Sequence, residues 1–338
     1  MKFRIMMGVA IIVALFVAVA FTYEHPPVQS VQAGYRGLGM VELSHPGNLD
    51  EKRAANQVPM PIDQVPPGGR PATEEYKNIK VLTDLSADEV TRVMLAMTEW
   101  ISPVQGCSYC HADGEDLSSD KLYTKVVARR MLQMTRDINT KWKNHVAATG
   151  VTCYTCHRGQ PVPGEIWFNS SGPPQPEGVV GAPTGKNFPA AVAGFTALPY
   201  DPFTPFLEYA NEIRVVSTTA LPQNDRSSIK QTEWTYALMM QISQALGVNC
   251  TFCHNSRSFF DWDQSTPQRE VAYHGIRLVR EVNGDVMGSL KDVFPPNRLG
   301  PMGDVPKVNC ATCHRGVNKP LLGVSMLKDY PELVGAPK

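Results

Sequence analysis

The sequence predicts a mainly α-helical chain with much irregular structure, organised as two similar halves behind an N-terminal apolar helix. Three observations predict it. All eight cysteines fall in four copies of one pentad, Cys-x-x-Cys-His, and the copies come in two spaced pairs. Helical periodicity fills the stretches ahead of the pentads. Finally, 28 Pro and 26 Gly in 338 residues interrupt regular structure often.

The first element is a membrane helix over 1–23. Lys2 and Arg4 precede an uncharged run over 5–23, which would rise roughly 28 Å, about one hydrocarbon core. A cleaved signal peptide competes, with Ala18-Val19-Ala20 as a small-residue site. The run is long for that, so retention is expected. No cysteine follows it, so a lipid-bearing N-terminal Cys is not expected. Basic residues before the run and Glu24 after it place the N-terminus inside and the bulk of the chain on the periplasmic side.

Residues 24–85 read as an extended Pro/Gly-rich arm, with Pro26, Pro27, Pro46, Pro59, Pro61, Pro66, Pro67 and Pro71. His25 and His45 within it read as surface residues. A first pentad-bearing unit follows over 86–160. Ser86-Ala-Asp-Glu89 is a capping box, and Val90, Val93, Met94, Met97 and Ile101 recur at helical spacing until Pro103. A second helix is expected from about Lys121 to Ala147, stopped at Gly150. Residues 161–230 form a connecting segment, Pro- and Gly-rich from Pro161 to Pro205. The second unit spans 231–320, with one helix from about Thr232 to Ala245 stopped at Gly247. Another is capped by Thr266 with Pro267 at its first position and ends near Asn283-Gly284. A tail over 321–338 completes the chain.

The pentads are Cys107-Ser-Tyr-Cys110-His111, Cys153-Tyr-Thr-Cys156-His157, Cys250-Thr-Phe-Cys253-His254 and Cys310-Ala-Thr-Cys313-His314. This is the attachment pattern of c-type haem: two thiols add to the vinyl groups, and the adjacent His reaches the iron from the same face. A structural zinc site would not need His next door four times. A thioredoxin-like motif would appear once, inside a βαβ pattern. Four covalent haems, each with its iron, are therefore expected. The Cys-His-Arg-Gly ending occurs at both Cys156 and Cys313, a further sign of two related halves. Lys+Arg and Asp+Glu are both 32, so the chain lacks the basic excess of a nucleic-acid-binding surface. Haem propionates would add up to about −8.

The sixth ligand on each iron decides between binding chemistry and pure electron transfer. Met94 and Met97, Met131 and Met134, and Met239 and Met240 sit on the helices ahead of the first three pentads. One ligand is expected from each pair, and spacing alone does not choose it. For the fourth pentad the candidates are His145, His274, Met287 and Met302. His145 shares a stripe with Met131, Met134, Ile138 and Trp142, so one helix could serve two irons. His274 sits on a stripe with Val271, Leu278 and Val282 and also suits a structural role.

With these features the chain resembles the tetrahaem cytochrome subunit of bacterial photosynthetic reaction centres. Matching stretches include Gly34-Tyr-Arg-Gly-Leu38, Glu99-Trp-Ile-Ser-Pro103, Val127-Ala-Arg-Arg-Met-Leu132, Gly150-Val-Thr-Cys-Tyr-Thr-Cys-His-Arg-Gly159, Tyr200-Asp-Pro-Phe203, Ala237-Leu-Met-Met240, Ser265-Thr-Pro-Gln-Arg269 and Leu327-Lys-Asp-Tyr-Pro-Glu-Leu333. The resemblance implies Met94, Met131 and Met239 as axial ligands, and His145 opposite His314 on one bis-histidine haem. It implies Arg269 as a cation beside the third haem. The chain departs from the family at the N-terminus, where many relatives carry a lipid-anchoring Cys.

The resemblance implies an electron carrier without a catalytic site. It would be reduced by a soluble periplasmic donor such as a small cytochrome c, and would re-reduce the bacteriochlorophyll special pair held by the core subunits in the inner, photosynthetic membrane. The light-harvesting ring is a further candidate neighbour. The third haem would lie nearest the pair and the first farthest. Asp113, Glu115, Asp116 and Asp120 follow the first pentad and read either as a solvated acidic loop or as a docking surface for a basic donor. Two rivals are a multihaem reductase, which needs an open iron, and a membrane-anchored quinol dehydrogenase, whose chain is shorter with closer pentads.

Overall fold

The computed structural model describes residues 2–22, 28–33, 40–66, 68–170, 198–215 and 229–335. Glu24, His25, Pro26, Pro27, Pro67, the stretch 34–38 and most of the expected connecting segment lie outside the described residues.

Helix α1 spans Lys2–Ala20. Among the described residues no helix is long and apolar enough to cross a membrane, which corrects the expected span. The helix ends at Ala20, where the expected run continues to Tyr23. Its apolar side chains are nonetheless exposed all round, Phe16 at 74% and Met6 at 71% among them.

The arm carries more structure than an extended chain. Strands β1 (Gln29–Ala33) and β2 (Met40–Ser44) pair antiparallel, with Val31 opposite Glu42. Helix α2, Pro46–Ala55, follows, and His45 caps it by accepting from the Gly47 amide at 3.1 Å. Residues 57–66 carry no regular structure, as expected, and the short helix α3, Ala72–Glu75, lies beyond them.

Helix α4, Ala87–Ile101, begins at the expected Ser86–Glu89 capping box. Its inner face, Val90, Val93, Ala96, Met97, Trp100 and Ile101, packs on Leu132, Cys153 and four tail residues, Leu321, Met326, Tyr330 and Leu333. The tail thus completes the core of the first unit. Arg92 locks this junction. Its guanidinium, 2% exposed, donates to Glu332 Oε1 and to the carbonyls of Ile62 and Asp329, each at 2.7 Å, and to that of Asp63 at 2.8 Å. A buried charge needs such pairing to be tolerable, although Glu332 Oε2 is left without a partner.

The helix expected over 121–147 is broken in two: α5, Tyr123–Lys141, and α6, Lys143–Val146. Trp142 leaves helical geometry at φ −107°, ψ 31°, so His145 does not continue the Met131 stripe. Helix α7 is Cys153–His157. Helix α8, Ile229–Leu246, starts a little before the expected Thr232 and stops at Gly247, φ +63°. It packs Leu238 and Ile242 on Trp167, Phe203, Phe206 and Leu207. Helix α9, Pro267–Glu281, begins after Thr266 and passes into a wider turn over Val282–Met287. The Thr266 hydroxyl does not cap it but donates to the Phe252 carbonyl at 2.6 Å. Helix α10 is Cys310–His314. A third core, with Leu278, Val282, Met287, Leu290 and Val305, lies against Met131, Met134, Ile138 and Trp142.

Candidate haem-binding sites

Each pentad is one tight turn, as covalent attachment at both cysteines requires. In the first and third, the turns Gly106–Tyr109 and Cys250–Phe252 are followed by the histidine, whose amide reaches back to the carbonyl of Cys107 or Cys250 at 2.9 Å. The second and fourth form α7 and α10. There the amides of Thr152 and Asn309 each donate at 3.0 Å to the hydroxyl three residues on, Thr155 or Thr312. Both helices end on an arginine in the left-handed region, Arg158 and Arg315, each at φ +51°. The following glycine amides tie each of these pentads to the helix ahead of the preceding pentad: Gly159 to Trp100 O of α4 and Gly316 to Ala245 O of α8, both 2.8 Å.

The histidines carry the strongest signal. Nδ1 of His111, His157, His254 and His314 lies at 3.0, 2.9, 2.7 and 3.0 Å from the carbonyls of Leu117, Gln160, Phe259 and Val317. A carbonyl only accepts, so Nδ1 carries the proton and Nε2 keeps its lone pair. A hydrogen bond of this kind at one ring nitrogen prepares the other for a metal. Burial favours the neutral ring as well, pushing His157 down and His314 down to about 4.

His145 has the same arrangement, with Nδ1 2.9 Å from Val271 O. Its ring lies against Gly275 of α9, where a Cβ would sit 2.5 Å from its Cε1. It faces His314 with ring centroids 6.1 Å apart. Two imidazole nitrogens each about 2 Å from one metal put their centroids roughly 6 Å apart, so this pair fits a shared iron. No motif marks Gly275 in the sequence. A glycine inside a helix, costing about 1 kcal/mol, is the available signal for it. His274 is half-buried beside Tyr273, at a ring distance of 5.5 Å. Met287 is buried in the third core and Met302 is 59% exposed.

Among the methionine pairs, Met97 is buried within the first core while Met94 lies half-buried at its edge. Met131 and Met134 are both packed against the third core, and Met239 packs on the second while Met240 is half-buried. Arg269 stands by the third pentad, where its charge acts on Cys253 and His254. It donates to Asp261 O at 2.9 Å and to Ser265 Oγ at 2.7 Å and stacks on Trp262 at 4.6 Å.

Burial pushes the thiols of Cys110 and Cys253 up to about 11, and those of Cys153 and Cys310 up to about 12. Cys107 is exposed and Cys250 half-buried. Cys156 and Cys313 are joined as a disulfide, Cα atoms 4.5 Å apart. Thioether attachment uses the same sulfurs, so the two bonds are alternatives. The juxtaposition places α7 and α10 side by side.

The acidic loop is less bare than its sequence. Glu115 pairs with Lys121 at 2.9 Å, Asp116 with Lys77 at 3.4 Å, and Asp120 with Arg129 at 2.8 Å and Lys80 at 3.1 Å. Asp113 accepts from Ser108 Oγ at 2.6 Å.

The sequence profile of the family described as photosynthetic reaction centre cytochrome C subunit matches residues 24–334. The chain is 51% identical over 315 residues to the photosynthetic reaction center cytochrome c subunit of Rubrivivax gelatinosus, covering 93% of this chain and 86% of that one. It is 50% identical to the subunit of that name from Thermochromatium tepidum, covering 92% and 76%, and 43% identical to that from Roseobacter denitrificans, covering 95% and 90%. The chain belongs to the photosynthetic reaction centre cytochrome c subunit family.

Proposed function

We propose that this subunit takes electrons from a soluble periplasmic carrier and passes them through four c-type haems to the photo-oxidised bacteriochlorophyll special pair. The observation that carries the reading is the common setting of His111, His157, His254, His314 and His145: Nδ1 held by a backbone carbonyl, Nε2 left for iron. Bound haem supplies a one-electron iron couple. Cys107 and Cys110, Cys153 and Cys156, Cys250 and Cys253, and Cys310 and Cys313 attach the four groups. Met94, Met131 and Met239 complete the first three, and His145 the fourth. Methionine raises potential relative to bis-histidine, so the fourth stands lowest by ligation. Arg269 favours the reduced form of the third.

The 86–160 and 231–320 segments act as two-haem units, supported by the matched turns of pentads one and three and of two and four. The chain is a carrier and not an enzyme. Around pentad three, Phe259, Phe260, Trp262 and Tyr273 are 45–55% exposed. An aromatic surface of this kind suits the core subunits that carry the special pair, and the light-harvesting ring lies beyond them. The loop after pentad one is the docking candidate for the donor. The exposed apolar surface of α1 holds the chain to the inner membrane, with the bulk of the chain on the periplasmic side.

The test is the haem α-band in native membranes after one saturating flash. Haem oxidation matching re-reduction of the special pair is expected. Normal bleaching of the pair with haems that stay reduced would leave a quinol-linked carrier as the better reading.

A further inference from the structure

We infer that Arg315, backed by Lys52, clamps a haem propionate carboxylate where α7 meets α10. The inference rests on the four-haem reading. Its starting point is a contrast between two arginines with the same backbone. Arg158 spends its whole fork within the protein. Nε donates to Thr155 O at 3.0 Å, Nη1 to Ala55 O at 2.9 Å and Nη2 to Cys313 O at 3.2 Å, while both Nη atoms reach Asn56 Oδ1. Arg315 follows His314 as Arg158 follows His157, yet its Nε is buried without a partner. Its guanidinium lies against Gly164, where a Cβ would stand 2.5 Å from one Nη and 2.7 Å from the other.

A second cation enters from the arm. Lys52 of α2 passes over the exit of α10: its Nζ is 3.0 Å from where a Cβ on Gly247 would be, and its Cε 3.7 Å from one on Gly316. Arg158 and Arg315 also act on each other as like charges. Among the described residues, the ion pairs leave these three cations without a carboxylate. Three clustered positive charges, part of them buried, are costly without an anion. The planar fork of Arg315 matches a carboxylate, and each haem brings two. A cation so placed also favours the reduced iron, so Arg315 acts as a positioning residue that tunes potential.

The experiment compares wild type with Arg315→Gln, Arg315→Lys and Gly164→Ala by intact mass, α-band redox titration and resonance Raman of the propionate modes. All should carry four haems. Arg315→Gln should lower the midpoint of the second or fourth haem, a roughly tenfold change in its reduced-to-oxidised ratio at fixed poise, and leave the first and third unmoved. Arg315→Lys should restore most of it. Gly164→Ala keeps every charge but displaces the guanidinium, and should shift the same haem less; it decides the case if Arg315→Gln does not fold. Unmoved midpoints and propionate modes in the folded variants, with four haems attached, overturn the clamp. So does a shift that follows added phosphate, which would mean a mobile anion. A wild-type mass without four haems breaks the haem reading instead.

Discussion

Pentads two and four, and pentads one and three, carry the same five-residue chemistry on different backbones. The inner two are short helices side by side, with a hydroxyl closing each N-terminus and a left-handed arginine closing each C-terminus. The outer two are bare turns whose histidines are held by loops further on, at Leu117 and Phe259. The attachment motif therefore fixes a turn but not its surroundings. Where protein covers the turn, both of its backbone ends are closed by buried partners; where solvent covers it, local loops and charges suffice.

The largest effect should come from the glycines that launch the pentads. Gly106 and Gly247 both stand in the left-handed region, at φ +61° and +63°. A Cβ at Gly106 meets nothing within 4 Å, whereas one at Gly247 would lie 2.1 Å from the Gly316 carbonyl oxygen. Gly106→Ala should cost about 1–2 kcal/mol, the conformational penalty alone. Gly247→Ala sets backbone against backbone and should cost above about 4 kcal/mol. Thermal unfolding followed by circular dichroism measures both, and equal losses would mean that the contact of Gly247 with the turn after pentad four sets the two outer turns apart in geometry only.

A smaller effect tests the caps. Asn309 is 2% exposed, accepts from Ala311 N at 2.8 Å and donates to Glu165 O at 2.6 Å. Its side-chain oxygen also accepts from the buried Gln241 amide at 3.3 Å. Asn249 caps the outer turn by accepting from Thr251 N at 3.0 Å. Asn309→Ala deprives a buried amide of its acceptor as well as removing the cap, and should cost about 2–3 kcal/mol. Asn249→Ala removes the cap and the acceptor of the Thr251 hydroxyl at 2.7 Å, and should cost about 1–2 kcal/mol. The midpoint of denaturant unfolding separates them.

Part of this contrast is legible in the sequence. The Cys-His-Arg-Gly ending belongs only to the inner pentads, and Thr155 and Thr312 stand at matched positions. The capping box at Ser86 is legible because it is local, its partners three residues apart. Thr266 marks its helix start correctly, but its hydroxyl serves Phe252, a tertiary acceptor that the sequence does not announce. The break at Trp142 is hidden because the apolar stripe runs unbroken into His145. What accompanies the break is the docking of His145 on Val271 and Gly275, with Val271 126 residues away, and no local pattern records such contacts. The pairing of Gln29–Ala33 with Met40–Ser44 escapes notice because each strand is only five residues long.

The smallest effect concerns charge at the outer edge. Arg129 donates to Asp120 and holds its carboxyl well below the usual carboxylate range, with Asn78 and Lys80 adding to this against the opposing effect of burial. A carboxylate depressed in the folded state contributes stabilisation that is complete above its unfolded value, near 3.8, and is lost as pH falls toward the native value. Below about pH 4 the loop after pentad one should therefore loosen first, while α10, held by backbone and amide contacts, should not. Hydrogen exchange along the chain reads this directly. Asp120→Asn should reproduce the loosening at neutral pH, and high salt should enhance it little, because Lys125 and Arg129 are largely buried, 11% and 15% exposed. If α10 exchanged as early as the loop, the two kinds of pentad would be one cooperative unit, and the distinction between them would be one of geometry alone.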